Sequence, residues 1–503
     1  MIRKMTIFAT LMMAVSSLAA SAAELRIGLE SDPDALDPAK SRTFVGRIVF
    51  TALCDKLIDV NEKLEFVPQL ATAWETSEDG KTLTFTLREG VTFHDGTPFD
   101  AEAVKANIER AKTLEDSVRK SELASVESVE VVSPTEVRFH LTAPDATLLA
   151  QLSDRAGMML SPTAFAAAGG DFSANPVCSG PFKFVSRVSQ DRIELEKFAD
   201  YWNADAIKLD RVVYVPIPDS TVRLANLQSG DLDLVNQLAA TDMAAVSASG
   251  NLRVEQVVGL GYQGITFNTA NGPKSDNPAA KDAKVRQALN LAIDRDALSQ
   301  VVFSGAMPPA GQPFPPDSPY YDPDFPAPER DVEKAKALLA EAGVQTPVRL
   351  TVQTPNTPVQ MQMMQVVQSM AAEAGFDIQI VAKEFATLIA DAGNGDFEAS
   401  QQGWSGRVDP DGNLHQFVTT DAGFNDGKYS NPEIDRLLEE ARTVSDAEAR
   451  KGLYHQAQQI LSQDLPLIYL YYSPWLYGVD QGVQGFKPYP DGMIRLENVS
   501  DAD

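Results

Sequence analysis

Residues 401–413, Gln-Gln-Gly-Trp-Ser-Gly-Arg-Val-Asp-Pro-Asp-Gly-Asn, form the most suggestive loop of the chain. Trp404 offers a flat apolar face, Arg407 a guanidinium, and Asp409 and Asp411 two carboxylates, among glycines and a proline that favour turns. A guanidinium presents a planar fork of donors that matches a carboxylate or a phosphate. Such a set suits a loop that meets a small polar ligand. The same residues allow a plainer arrangement, in which Arg407 pairs with Asp409 or Asp411 and only shapes the loop. Sequence alone leaves the two readings level. Tyr262, Gln263 and Phe44 are further candidates for lining a site, because aromatic platforms are common around small ligands. Core packing is the competing role for each.

Catalytic patterns are missing from the sequence. It carries no H-E-x-x-H, no G-x-S-x-G and no Walker loop, so no catalytic residue is assigned and the chain reads as a non-enzyme. The four histidines, His94, His140, His415 and His455, are scattered singly, which is a thin basis for a metal site; neither a metal nor a cofactor is expected. His94 reads as a loop hydrogen-bonder. A formal net charge of −27 argues against a nucleic-acid partner, since an acidic surface repels phosphate.

The N-terminus reads as an export signal. Arg3 and Lys4 precede the apolar run Met5–Leu18, too short to span a bilayer comfortably, and Ser21-Ala22-Ala23 offers small residues for cleavage. Residues 1–23 are therefore expected to be a signal peptide, and the mature protein a soluble periplasmic monomer without direct membrane insertion. The only cysteines are Cys54 and Cys178. An even count in an oxidising compartment predicts one bridge between them; two buried thiols are the alternative.

The elements that must position these groups are readable in part. In Ala71–Val104, Leu83, Phe85 and Leu87 alternate with polar residues and Asp79-Gly80 supplies a turn, which predicts a hairpin. Leu25–Leu29 and Leu209–Val215 predict strands, and Asp219–Ser229 a helix with Val222, Ala225 and Leu227 inward. Val285–Leu298 repeats apolar residues at helical spacing. Nine prolines between Met307 and Pro328 exclude helix or central strand there, leaving an ordered loop or a flexible linker. Strand Thr346–Thr354, helix Val359–Ala374 and strand Phe376–Lys383 give β-α-β. Asp331–Ala342, a helix opened by Asn431-Pro432, and Asp446–Ser462 add helices before strand Leu467–Tyr472.

From Trp74 to Phe99 the chain reads W-x-x-S-x-D-G-K-x-x-x-F-x-L-R-x-G-V-x-F-H-D-G-x-P-F. This run resembles the signature segment of the family 5 solute-binding proteins, the dipeptide-, oligopeptide- and nickel-binding components of ABC importers. The Asp32–Pro38 loop, Cys178–Phe182 and Leu227–Asp233 resemble further family segments, so the resemblance covers nearly the whole mature chain. It implies a two-lobed α/β periplasmic binding protein fold with the ligand cleft between lobes. Lobe one would comprise residues 24–264 with an extra subdomain at about 67–180, lobe two residues 265–472, and residues 473–503 would return to lobe one. It implies capture of a peptide or similar small polar solute by hinge closure, and delivery to an inner-membrane ABC permease. Sugar acids, opine-like conjugates and metal chelates remain open as ligands, as do a sensing role and, from another class, a secreted envelope hydrolase. In the peptide binders that this chain resembles, an Asp shortly after the loop Trp takes the ligand's α-ammonium. Here Arg407 stands at that place and Asp409 follows two residues later. That departure points to an anionic ligand group instead.

Overall fold

The computed structural model describes residues 23–444 and 446–501. The expected signal peptide, apart from Ala23, lies outside them. Strand Glu24–Leu29 sits near the middle of a seven-stranded sheet. It pairs in parallel with Arg211–Pro216 on one side and Leu234–Asn236 on the other. Arg192–Lys197 and Phe182–Val188 extend the first edge by antiparallel pairing. Trp475–Asp480 and Leu252–Val257 extend the second. A five-stranded sheet holds, in order, Phe376–Lys383, Val348–Pro355, Ala399–Trp404, Tyr262–Phe267 and Leu467–Tyr472. Each sheet carries its own core. Leu25, Ile27, Phe50 and Tyr214 are buried in the first, and Ile265, Val352, Val367 and Ile468 in the second. The result is a two-lobed α/β fold.

The predicted hairpin forms. Ala71–Thr76 pairs with Thr82–Leu87, and Glu136–Leu141 and Val126–Ser133 complete a four-stranded sheet. Leu83, Phe85 and Leu87 all point into a separate core that runs from Leu57 to Met159 and includes the helix Ala101–Thr113. Gly80 turns the chain at φ +69°, a conformation that side chains with a Cβ resist.

The chain passes between the large sheets twice, at residues 258–261 and 473–474. Tyr262, Gln263 and Gly264 already belong to the second sheet, three residues ahead of the boundary read from sequence. The crossings touch: the Ser473 amide donates to the Gly261 carbonyl at 3.2 Å. A Cβ at Gly259 would lie 2.3 Å from the Ser473 carbonyl oxygen, and one at Gly261 2.1 Å from that of Trp404. Glycine is required at both.

Two expectations change, and of the two readings of the proline-rich segment the ordered loop is the one that forms. The periodic run Val285–Leu298 is two helices, Ala283–Ala292 and Arg295–Phe303, because Ile293 is extended and Asp294 caps the second by accepting from the Ala297 amide. In the helix Ser220–Ser229, Val222 is 48% exposed and Ala225 is also exposed. The buried face is instead Arg223 and Leu227, with the Arg223 guanidinium donating to the carbonyls of Ile217, Pro218 and Gln237. The proline-rich segment is an ordered loop on the second lobe: Ala310, Gln312 and Phe314 are buried, and Tyr472 donates to the Phe314 carbonyl at 2.7 Å.

Cys54, at the C-terminal end of helix Phe44–Leu53, is bridged to Cys178. Alkylation of the unreduced, denatured protein should find no free thiol, and reduction should cost roughly 2–5 kcal/mol of stability, measured by denaturant titration.

The same turn fixes His94. Its amide donates to the Cys178 carbonyl, its Nδ1 accepts from the Cys178 amide at 3.3 Å, and its Nε2 lies 3.0 Å from the Gly180 carbonyl. Those partners suit one neutral tautomer, with the proton on Nε2. Burial lowers the ring's pKa from 6.5 to about 4. The stability contributed by the neutral ring is therefore full above about pH 6.5 and is lost as the pH falls through about 4. Thermal melts across that window should show His94→Gln losing about 3 kcal/mol less than the wild type on acidification.

Candidate functional site

The second lobe contributes the loop read as ligand-facing. Strand Ala399–Trp404 lies beside Tyr262–Phe267 with Tyr262 opposite Trp404 and Gln263 opposite Gly403, so three of the sequence candidates share one corner of the sheet. Gln401 Nε2 donates to Gln263 Oε1 at 3.0 Å, and a Cβ at Gly403 would collide with the Gln263 amide. Tyr262 packs edge-on against Tyr469 with ring centroids 4.8 Å apart, and its buried hydroxyl has no hydrogen-bond partner among the described residues. Trp404 packs on Phe417 at 5.0 Å and on the half-exposed Phe424 at 5.9 Å, which makes an aromatic wall.

After the strand, Asn413 organises the turn. Its Oδ1 accepts from Trp404 Nε1 at 3.0 Å and from the Arg407 amide at 2.7 Å, and its Nδ2 donates to the Arg407 carbonyl at 2.8 Å. Held this way, the Arg407 guanidinium lies 4.3 Å over the Trp404 ring and donates to the Gly406 carbonyl at 2.7 Å. Cation–π geometry of this kind fixes a guanidinium while leaving its edge free for an anion.

Arg407 does not pair with Asp409 or Asp411. Arg450 grips both oxygens of Asp409, at 2.6 and 2.7 Å, and Arg442 takes Asp411 at 2.9 Å. The expectation that Asp409 meets a ligand therefore gives way to a bracing role beneath the loop. The nearest carboxylate to Arg407 belongs to the other lobe: Asp154 Oδ2, 3.8 Å from Arg407 Nε.

Phe44 opens the helix Phe44–Leu53, capped by Thr43. Its ring stacks on Trp475 at 4.4 Å with the planes 2° apart, so packing accounts for one face. The helix carries Arg47 one turn further, with its guanidinium 5.8 Å from the Phe44 ring and 3.0 Å from Asp154. Burial works to raise the Asp154 pKa, but the charges of Arg47, Arg155, Arg407 and Arg119 overcome it and hold the carboxyl well below the usual range. Burial, aided by the charge of Arg47, lowers Arg407 to about 9. Arg47, Arg119, Asp154 and Arg155 were not singled out from sequence. Arg47, Arg119 and the adjacent pair Asp154-Arg155 lie far apart along the chain, and no motif marks them.

Elsewhere on the second lobe, Asp322, Asp324 and His455 bring one ligand atom each within 4.8 Å of one another. His455 already pairs with Asp322 at 2.9 Å, and two of the three residues are exposed.

Two lobes joined by paired crossings meet at a boundary lined by an aromatic wall and a guanidinium. Residues 65–425 match the family described as bacterial extracellular solute-binding proteins, family 5 Middle. The glutathione-binding protein GsiB of Pectobacterium atrosepticum is 30% identical over 96% of this chain and 95% of its own length. The binding protein AgaA from A. tumefaciens R10, solved with agropinic acid, superposes with a TM-score of 0.83 at 28% identity over 95% of this chain and 98% of that one. A dipeptide-binding protein from Pseudoalteromonas sp. SM9913, solved with Met-Leu, gives 0.84 at 27% over 95% and 100%. The chain belongs to family 5 of the bacterial extracellular solute-binding proteins. Members are periplasmic binding proteins of ABC importers rather than enzymes, and this chain is a solute-binding protein of that family.

The bracing pair is directly testable. Arg450→Ala strands the Asp409 carboxylate in a buried position, so it should cost about 3–5 kcal/mol in a urea titration. Replacing both partners by apolar residues should cost less.

Proposed function

We propose that the mature protein starts at Glu24, works as a periplasmic monomer, and captures a small peptide-like solute that bears an anionic group. The solute is bound between Trp404, Arg407, Tyr262 and Gln263 on lobe two and the face around Phe44 on lobe one. The lobes close over it and present it to a membrane permease; no bond is made or broken. The observation that carries this reading is Arg407, held over Trp404 with no carboxylate of its own loop to neutralise it. A cation there repels a peptide's ammonium and attracts a carboxylate. The ligands named for the related proteins include glutathione and agropinic acid, both of which carry carboxylates.

Native mass spectrometry of the protein isolated from the periplasm tests this. The expected result is a retained small acid that leaves on unfolding and compacts the stripped protein when added back, read by small-angle scattering. Arg407→Ala should weaken its binding by roughly 1.5–3 kcal/mol while the ligand-free melting temperature moves little. Retention of a neutral or cationic molecule, or unchanged affinity in the variant, would remove Arg407 from the site.

A further inference from the structure

The lobe-one side of Arg407 holds a concentration of charge that packing does not require. Arg47, Arg119 and Arg155 are all buried there. Arg155 Nη1 donates to the Ser41 carbonyl at 2.8 Å, and Arg119 Nη2 donates to the same oxygen at 3.2 Å. Asp154 accepts from Arg47 Nε at 3.2 Å and from the Arg155 amide at 2.7 Å. Arg119 also pairs with Glu122. Together with Arg407, four guanidinium groups face two carboxylates, an excess of two positive charges in a buried place.

Other buried arginines of this protein show what a structural guanidinium looks like. Arg295 spends its donors on the carbonyls of Ala310, Tyr469 and Ile293 and on Asn290, and Arg286 on those of Asp464 and Ala279. None of their nitrogens is left over. In the boundary cluster, by contrast, Arg47 Nη1, Arg119 Nε and Arg155 Nε are buried without a hydrogen bond to any of the described residues, and so is the second oxygen of Glu122. Buried donors without acceptors are costly, and a buried excess of one charge is costlier. Part of that cost arises between the lobes, because Arg407 of lobe two stands beside the three arginines of lobe one, with Asp154 3.8 Å from its Nε.

We infer that Arg47, Arg119 and Arg155 of lobe one, completed by Arg407 of lobe two, form a subsite for a solute carrying two negative charges, and that this double charge drives the closure. The inference rests on the proposed function and narrows its substrate class to dianionic, dicarboxylate-bearing peptide-like molecules. A single carboxylate would leave the closed cluster still positive, whereas two balance it. A ligand shifts a conformational equilibrium only through its differential affinity for the two states, and the unspent donors supply that difference here.

Calorimetric titration of the stripped mature protein with a matched set tests the inference: Ala-Ala, net neutral; N-acetyl-Ala-Ala, one negative charge; N-acetyl-Ala-Glu, two. The doubly charged peptide should bind at least about tenfold more tightly than the singly charged one, a step of about 1.4 kcal/mol. Added salt should narrow that margin. Arg119→Gln and Arg155→Gln should abolish it, while Arg119→Lys, which keeps the charge, should retain most of it. A merely structural role would lower the affinity of all three peptides alike and leave the margin intact. Equal or tighter binding of N-acetyl-Ala-Ala overturns the inference and leaves the proposed function standing, whereas tightest binding of Ala-Ala overturns both. Binding by none of the three overturns both.

Discussion

The two crossings between the large sheets are the constraint on which the site depends. They run side by side, joined by the Ser473–Gly261 hydrogen bond, and they fit only because Gly259 presents no side chain to the Ser473 carbonyl and Gly261 none to the Trp404 carbonyl. Both walls of the cleft are anchored to this pair. On one side, Gly261 leads directly into Tyr262, which is registered opposite Trp404. On the other, Ser473 leads into Trp475, whose ring fixes Phe44 and, one turn later, Arg47. A shift of the crossings would move an aromatic and a cationic group on each lobe together. A hinge motion of the lobes would therefore fall on torsions in these few residues, with the groups on either side carried along by their own sheets.

Rigidity on lobe two has a second source. One side-chain amide, Asn413, holds both the indole of Trp404 and the backbone of Arg407. Beneath it, the Asp409–Arg450 and Asp411–Arg442 pairs tie the loop to the helices Ala447–Asp464 and Pro432–Thr443. A guanidinium placed so firmly loses little conformational freedom on meeting an anion, which is how preorganisation turns contacts into affinity. The acidic residues of the loop are thus spent on geometry, and the loop as a whole presents a positive charge.

Local pattern made much of the fold legible. Alternation at Leu83, Phe85 and Leu87, the cap at Asn431-Pro432, and the strand Leu467–Tyr472 are decided by neighbours in sequence, and they stand where the pattern puts them. Pattern failed where a polar side chain did the work of an apolar one. Arg223 turns the helix Ser220–Ser229 because it saturates three carbonyls, and Asp294 breaks a helix by capping the next. Of the candidate site, Trp404, Tyr262 and Gln263 stand together because their strands pair, and Arg407 was suggested by its loop. Its surroundings were not legible, since Arg47, Arg119 and Arg155 become neighbours only through tertiary folding.

The strand Trp475–Asp480 has a consequence for how the protein is made. It does not cap the edge of the seven-stranded sheet but lies inside it, between Leu252–Val257 and Leu234–Asn236. The sheet begun by Glu24–Leu29 therefore stays open along that flank until more than 400 further residues have been synthesised. Contacts that span so long a stretch form slowly and late. A nascent chain of this design holds its first lobe unfinished until nearly all of it has been made, and the large sheet closes up only when Trp475–Asp480 slots in between its two neighbours.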